Sequence, residues 1–376
     1  MMMSGFVDTL VLHDSVAIVR WLRPYVLIFH NRRWVYLRLG FCNKQLAFRS
    51  VNDSWTFRNK DGALLKVEFS RINEAKAVFD DIYIQDDPRS YFSILGDLDY
   101  MITDVAEPVI RQILSAKASV SKAEPVVLDV GCSYGINAAV HRFPLTFGGL
   151  RHRYARREVK AISPEELMLL DRNFYASWPD HGLARFIGLD VSAPAIRYAT
   201  RVGLLDHGIV ADLENQPLSA EDARIVRPVD VILSTGCIGY VTEKTFGKLL
   251  GATEKKPWII SFVLRMFPYD ALATTFAQRG LVTEKLSGVT FVQRRFRDAE
   301  EFESSLTTLA AAQIDSTGLE SEGLFHADLI LSRPEEDARA APLEDIVTVA
   351  SGRGRPIAPR YVHVESDDGL RVTLEP

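Results

Sequence analysis

Cysteine is scarce in this 376-residue chain. Its three, Cys42, Cys132 and Cys237, stand far apart and form neither a C-x-x-C pair nor a Cys/His ligand spacing. That excludes a disulfide framework and a thiolate zinc site, so no metal is expected, and an odd count fits a reducing, cytoplasmic setting. An excess of positive charge is lacking too. Against 44 Lys and Arg stand 49 Asp and Glu, a formal net charge of −5. No broad basic face for a phosphate backbone follows from that balance, and no nucleic-acid partner is expected. Long apolar runs are missing as well. The most apolar stretch, Val16 to Phe41, is broken by Arg20, Arg23, Arg32, Arg33 and Arg38. It falls short of the roughly 20 predominantly apolar residues of a membrane helix. The opening MMMSGFVDTLVLHD has Asp8 and Asp14 and no basic leader, unlike a secretory signal. These absences predict a cytoplasmic chain without a membrane partner.

What is present is ordinary globular composition, 47% hydrophobic and 25% charged, at a length that accommodates two or three domains. Residues 1–80 read as short β segments. Tyr25–Phe29 and Trp34–Leu37 are β-branched and aromatic runs, and Trp55–Arg58 and Leu65–Phe69 flank the turn dipeptide Asp61-Gly62. A β-rich accessory region follows from that pattern, with a homo-oligomer formed through it as one expectation. Residues 71–117 read as largely helical, with an apolar stripe in Val105, Val109, Ile110, Ile113 and Leu114.

From Pro125 the rhythm becomes strand, loop, helix. Val126–Val130, Phe186–Asp190, Gly208–Asp212, Val229–Ser234, Trp258–Phe262, Val289–Val292 and His326–Leu331 are candidate strands, with helix-compatible segments such as Ala193–Val202 and Ala271–Gln278 between them. Near-continuous apolar strands in such alternation predict a doubly wound, mainly parallel α/β sheet. After Pro334 the composition reads as a linker to a final hairpin about Asp367-Asp368-Gly369.

The first strand of this series runs into Asp129-Val130-Gly131-Cys132-Ser133-Tyr134-Gly135, with a helix starting near Ile136. Glycines let backbone approach a ligand, and a helix N-terminus offers free N–H groups. The nicotinamide fingerprint is G-x-G-x-x-G, whereas Ser133 stands where its middle glycine would be.

At these residues the sequence resembles the class I S-adenosylmethionine-dependent methyltransferases, over roughly 88–334. The resemblance implies a seven-stranded, mainly parallel sheet and S-adenosyl-L-methionine as cofactor. It implies that Asp129, Gly131, Ser133 and Gly135 meet the methionine part. Gly188-Leu189-Asp190-Val191-Ser192 is similar to the second motif, where Asp190, with Val191 beside it, holds the ribose. Ala211-Asp212-Leu213-Glu214 is similar to the third, placing Asp212 and Leu213 at the adenine. Ser234, heading the loop Ser234–Tyr240, is placed beside the transferring methyl, and Phe325–Pro334 resembles the closing strand. In total 61 residues separate Asp129 from Asp190, against roughly 20 in a standard unit, so residues of about 143–184 read as an insertion. The expected domains are then 1–80, 81–334 and 335–376.

Transfer from a sulfonium needs alignment more than a base. Tyr134, Tyr240 and His326 are the candidate catalytic groups, with Tyr91, Asp97 and Asp99 behind them. Arg151-His152-Arg153-Tyr154-Ala155-Arg156-Arg157 reads either as a solvated helix face or as an anchor for an anionic substrate. The acidic balance and the absence of nucleic-acid methylation motifs favour a small-molecule substrate. A protein or RNA side group, or a non-catalytic subunit of the same fold, stays open as an alternative.

Overall fold

The computed structural model describes residues 81–349 in full, together with the backbone of residue 80 and of strands within 7–65 and 361–374. Two compact units divide the chain, residues 1–68 and 69–376. In the first, β1 (Val7–Leu12), β2 (Ser15–Leu22), β3 (Tyr25–His30) and β4 (Arg33–Arg38) form an antiparallel meander. There β5 (Ala47–Val51), β6 (Ser54–Arg58) and β7 (Leu64–Leu65) form a second, three-stranded sheet.

The second unit is built on one sheet. Its strands are β8 (Val126–Val130), β9 (Arg185–Asp190), β10 (His207–Val210), β11 (Val231–Thr235), β12 (Trp258–Leu264), β13 (Leu281–Lys285), β14 (Phe291–Arg295) and β15 (Leu324–Pro334). The order is β10-β9-β8-β11-β12-β15-β13, with β14 also on β15. Strands β8 to β12 pair in parallel, and β15 runs antiparallel to β12, β13 and β14. Lys285 faces Ile330 and Phe291 faces Ala327, so β13 and β14 follow one another along the same edge of β15. The sheet therefore has eight strands where seven were expected, with two short strands sharing that edge. A final hairpin pairs β16 (Tyr361–Ser366) with β17 (Gly369–Leu374).

Parallel strands covered by helices on both sides should be apolar throughout, and β8 and β12 are buried at every residue. The N-terminal helices of this unit are α1 (Asp80–Tyr83), α2 (Arg89–Asp97) and α3 (Ile102–Ser121). In α3 the expected stripe of Val105, Val109, Ile110, Ile113 and Leu114 is buried. Each such side chain contributes about 1.5–3 kcal/mol to holding the helix on the sheet. Then α4 (Ile136–Arg142) leads into the segment read above as an insertion, which forms α5 (Phe147–Ala155), α6 (Arg157–Lys160) and α7 (Pro164–Ala176). A capping box fixes the start of α7, with Ser163 and Glu166 each satisfying the other's backbone N–H. The remaining helices are α8 (Ala193–Arg201), α9 (Ala220–Val226), α10 (Glu243–Ala252), α11 (Asp270–Gln278) and α12 (Ala299–Ala311).

Residues 335–349, the start of the stretch read as a linker, carry α13 (Glu335–Ala340) and α14 (Leu343–Ile346). They pack on the sheet: the Trp258 indole donates to Asp337 at 2.7 Å, and Leu343 is buried. Composition misleads here because only a few apolar residues do the anchoring.

Candidate functional site

Strand order reverses between β8 and its two neighbours, β9 and β11, and in a doubly wound sheet such a switch point opens a crevice at the strands' C-terminal ends. Asp129 stands there, fully buried. Its Oδ1 accepts a hydrogen bond from Asn137 Nδ2 at 3.0 Å, and the same amide reaches Thr235 Oγ1 at 2.9 Å, tying β8, α4 and β11 together. Asp129 Oδ2 has no partner, nor have the Ser133 hydroxyl and Asn137 Oδ1, all of them buried. Burial, with the nearby Asp190 charge, pushes the Asp129 carboxyl up to about 7.

Beyond Asp129 the chain turns sharply. Gly131 has φ +73°, and a Cβ there would come within 2.7 Å of the Cys237 Cβ. Only glycine meets both demands. Gly135, at φ +78°, caps α4, and Ser133 between them is also left-handed, at φ +48°. A clasp holds that strained serine: its N–H donates to Asp190 Oδ2 at 2.8 Å, while Asp190 Oδ1 takes the Ser192 N–H at 2.9 Å. Asp190 thus braces the turn from the end of β9. Burial raises its carboxyl above the ordinary range.

Asp212 sits in the loop after β10. It folds on itself, accepting from the Glu214 and Asn215 N–H groups and from the Asn215 amide, bonds that hold its carboxyl low. Neighbouring Leu213 is buried, and Glu214 binds the Thr242 backbone and hydroxyl at 2.8 Å, fastening the loop to α10. Val191 is among the most exposed large apolar side chains described. Ser234 is fully buried, its hydroxyl 2.9 Å from the Cys237 sulfur.

These observations bring together Asp129, Gly131, Ser133, Gly135 and Asp190 around one crevice, with the 211–216 loop following the neighbouring strand. Five parallel strands, a reversed β15 and a glycine turn at the switch point complete the arrangement. The fold is that of a class I methyltransferase.

No family model matches the sequence, and no curated protein does. Solved structures with the methyltransferase fold do. The plantazolicin methyltransferase BpumL in complex with SAH is 14% identical, covering 71% of this chain and 98% of that one, with a TM-score of 0.34. The O-methyltransferase of a trans-AT PKS multienzyme of Brevibacillus brevis, in complex with S-adenosyl-L-homocysteine, is 11% identical, covering 60% and 72%, with a TM-score of 0.32. A TehB-like SAM-dependent methyltransferase from Corynebacterium glutamicum is 14% identical, covering 58% and 86%, with a TM-score of 0.29. Each is a distant likeness.

The three candidate catalytic groups fall in different places. Tyr134 is fully buried, its hydroxyl 2.8 Å from the Gln85 carbonyl and 3.0 Å from that of Ile82. His326 lies 2.9 Å from the Thr290 hydroxyl through Nδ1, and burial lowers its pKa to about 4. Its neighbour Phe325 lines a cavity at this end of the sheet, so strand alternation turns His326 to the opposite face. Tyr240 alone of the three borders that cavity. The others behind them are also engaged: Asp99 pairs with Arg295 at 2.7 Å, Asp97 with Arg151 at 3.0 Å, and Tyr91 sits in an aromatic cluster with Tyr83, Tyr100 and Tyr134.

The cavity has a wall that sequence reasoning missed. Gln293 and Arg294 come from β14, and Glu301, Ser304, Ser305 and Thr308 from α12. Arg294 forks onto Glu301 at 2.7 and 2.9 Å with its guanidinium over the Phe325 ring. A signal was available: Glu301, Ser305 and Thr308 recur at helical spacing, a polar stripe on the face that α12 buries. In the basic cluster at 151–157, His152, Arg156 and Arg157 are exposed, as a solvated helix face requires, while two arginines are engaged. Arg153 is turned inward onto the fully buried Asp171, and Arg151 pairs with Asp97.

Among the described residues no group of His, Cys, Asp and Glu is arranged to hold a metal, and no helix is long and apolar enough to cross a membrane.

Proposed function

We propose that the chain is an S-adenosylmethionine-dependent methyltransferase acting on an oxygen, nitrogen or sulfur atom of a small molecule. One observation carries the reading: a buried carboxylate keeps an unpartnered oxygen at the strand end beside a left-handed glycine turn at the switch point, with an unpartnered serine hydroxyl in that turn. An unmet buried polar atom costs about 1–3 kcal/mol, so a turn that retains them suits a polar ligand. A cationic ammonium fits Asp129 Oδ2, and the Ser133 hydroxyl suits a carboxylate. Both belong to the methionine part of S-adenosylmethionine.

Asp129, Gly131, Ser133 and Gly135 then hold the methionine part, Asp190 and Val191 the ribose, and Asp212 and Leu213 the adenine. Ser234 supports the following loop through Cys237 instead of touching cofactor. The bound cofactor supplies a methyl group already activated by positive sulfur. What the protein adds is alignment of the acceptor in the cavity of Tyr83, Tyr100, Tyr240 and the β14–α12 wall. Of the three candidate catalytic groups, Tyr240 is the one that borders this cavity.

The test has two parts. Calorimetry should detect S-adenosylhomocysteine binding to the full chain, and no binding would remove the enzyme reading. Incubation of a cell extract with methyl-labelled S-adenosylmethionine should put label into small metabolites. Label in protein or RNA would overturn the small-molecule assignment.

A further inference from the structure

Residues 82–89, running from the end of α1 to the start of α2, are fastened at both ends. At one end the Tyr134 hydroxyl bonds the carbonyls of Ile82 and Gln85, and the Ser192 hydroxyl donates to the Tyr83 carbonyl at 2.5 Å. Tyr134 lies inside the glycine turn, and Ser192 follows Asp190 by two residues. Arg197 of α8 adds an exposed pair with Asp86 at 2.5 Å. At the other end Arg89 forks onto Asp87 at 2.7 and 2.9 Å and donates to the carbonyls of Val159, Lys160 and Ile162 in the inserted segment. Between these fixings Ile84, Gln85 and Asp86 are exposed, and the Tyr83 side chain reaches the acceptor cavity.

From this we infer that residues 82–89 form a strap over the cofactor crevice, latched by the Tyr134 hydroxyl, and that its closure both retains cofactor and completes the acceptor cavity with Tyr83. The inference rests on the methyltransferase reading above. Tyr134 is on this view a positioning residue. Its hydroxyl meets two main-chain oxygens, 49 and 52 residues away in sequence, and its ring packs edge-on to Tyr198 at 5.7 Å. Tyr198 in turn bonds the buried Asp171 at 2.6 Å, so the inserted segment braces the latch from below as well as anchoring Arg89. The strap has to loosen for cofactor to enter or leave the crevice.

Two substitutions test it. Tyr134→Phe removes one oxygen and keeps the ring. Arg89→Ala frees the far end of the strap and touches no residue assigned to the cofactor. In hydrogen-exchange mass spectrometry of the full chain without ligand, both should lower the protection of residues 82–92. In stopped-flow displacement both should speed S-adenosylhomocysteine release, Tyr134→Phe roughly five- to tenfold and Arg89→Ala, which loses several bonds, by at least as much. Unchanged protection in Tyr134→Phe overturns the latch. Faster exchange with unchanged release in both variants overturns the strap's hold on cofactor. The exchange measurement needs no cofactor, so a wild-type chain that binds none refutes the methyltransferase reading separately.

Discussion

A buried carboxylate with one oxygen on Asn137 and the other without a protein partner holds its proton more tightly than an ordinary aspartate. Asp129 is such a group, raised to about 7 mainly by burial. A cationic ammonium bound at its free oxygen favours the ionised form, so the affinity for S-adenosylhomocysteine should fall as pH drops through about 7. Isothermal titrations between pH 6 and 8.5 should show that slope, and Asp129→Asn should bind weakly with the slope gone. A slope that survives the substitution assigns the titration to another group. On the proposed assignment Asp190→Ala loses the ribose partner, and it unclasps Ser133 as well. Cofactor affinity should fall by about 1.5–3 kcal/mol, the scale of hydrogen bonds to charged groups, and an unchanged Kd in a folded variant would mean the wrong acid was assigned. Asp129 and Asp190 were legible in the sequence because strand-end acids beside glycines form a local pattern. Tyr134's role was not: its partners are main-chain oxygens, which carry no sequence signature.

Elements differ in legibility for a physical reason. β8, β9, β11 and β12 announce themselves because helices cover both faces of each, leaving apolar runs. β13, Leu281-Val282-Thr283-Glu284-Lys285, lies at the edge with Leu281 its one buried residue, so no apolar run marked it. The inserted segment was recognisable as an excess of length, yet its construction depends on residues far apart in the chain. Asp171 receives Arg153 at 2.5 Å, Tyr154 at 3.0 Å and Tyr198 at 2.6 Å, joining α5, α7 and α8 around one sealed charge. A buried carboxylate deprived of its cation is costly, about 3–5 kcal/mol. Arg153→Ala should therefore loosen the segment by that order. Urea unfolding followed by hydrogen exchange in the α5 and α7 peptides would register it, and a loss within the scatter of surface substitutions would show that the pair is not needed.

Over the whole second unit, buried groups titrate in opposing senses, and their balance sets its tolerance of acid. His141 is sealed beside α4's own backbone, with Nδ1 on the Asn137 carbonyl at 2.7 Å and Nε2 unpartnered. Burial lowers its pKa from 6.5 to about 4. His326 behaves alike. Between those values the unfolded chain takes up protons that the folded one refuses, so each histidine subtracts stability as pH falls, by about 1.4 kcal/mol per pH unit. Asp129 works the other way. With a folded pKa of about 7 against 3.8, it binds its proton first in the folded state and stabilises the fold as pH falls toward 4. His141→Gln should flatten the acid dependence of unfolding between pH 6.5 and 4, and Asp129→Asn should steepen it. Urea unfolding read from the β8 and β12 peptides at several pH values isolates this unit from residues 1–68. Slopes moving together, or not at all, would mean that these buried groups do not govern the balance. The pairing of Asp129 with a cation has a further consequence: bound cofactor would hold that carboxyl ionised, so the acid protection it gives the empty fold should vanish in the complex.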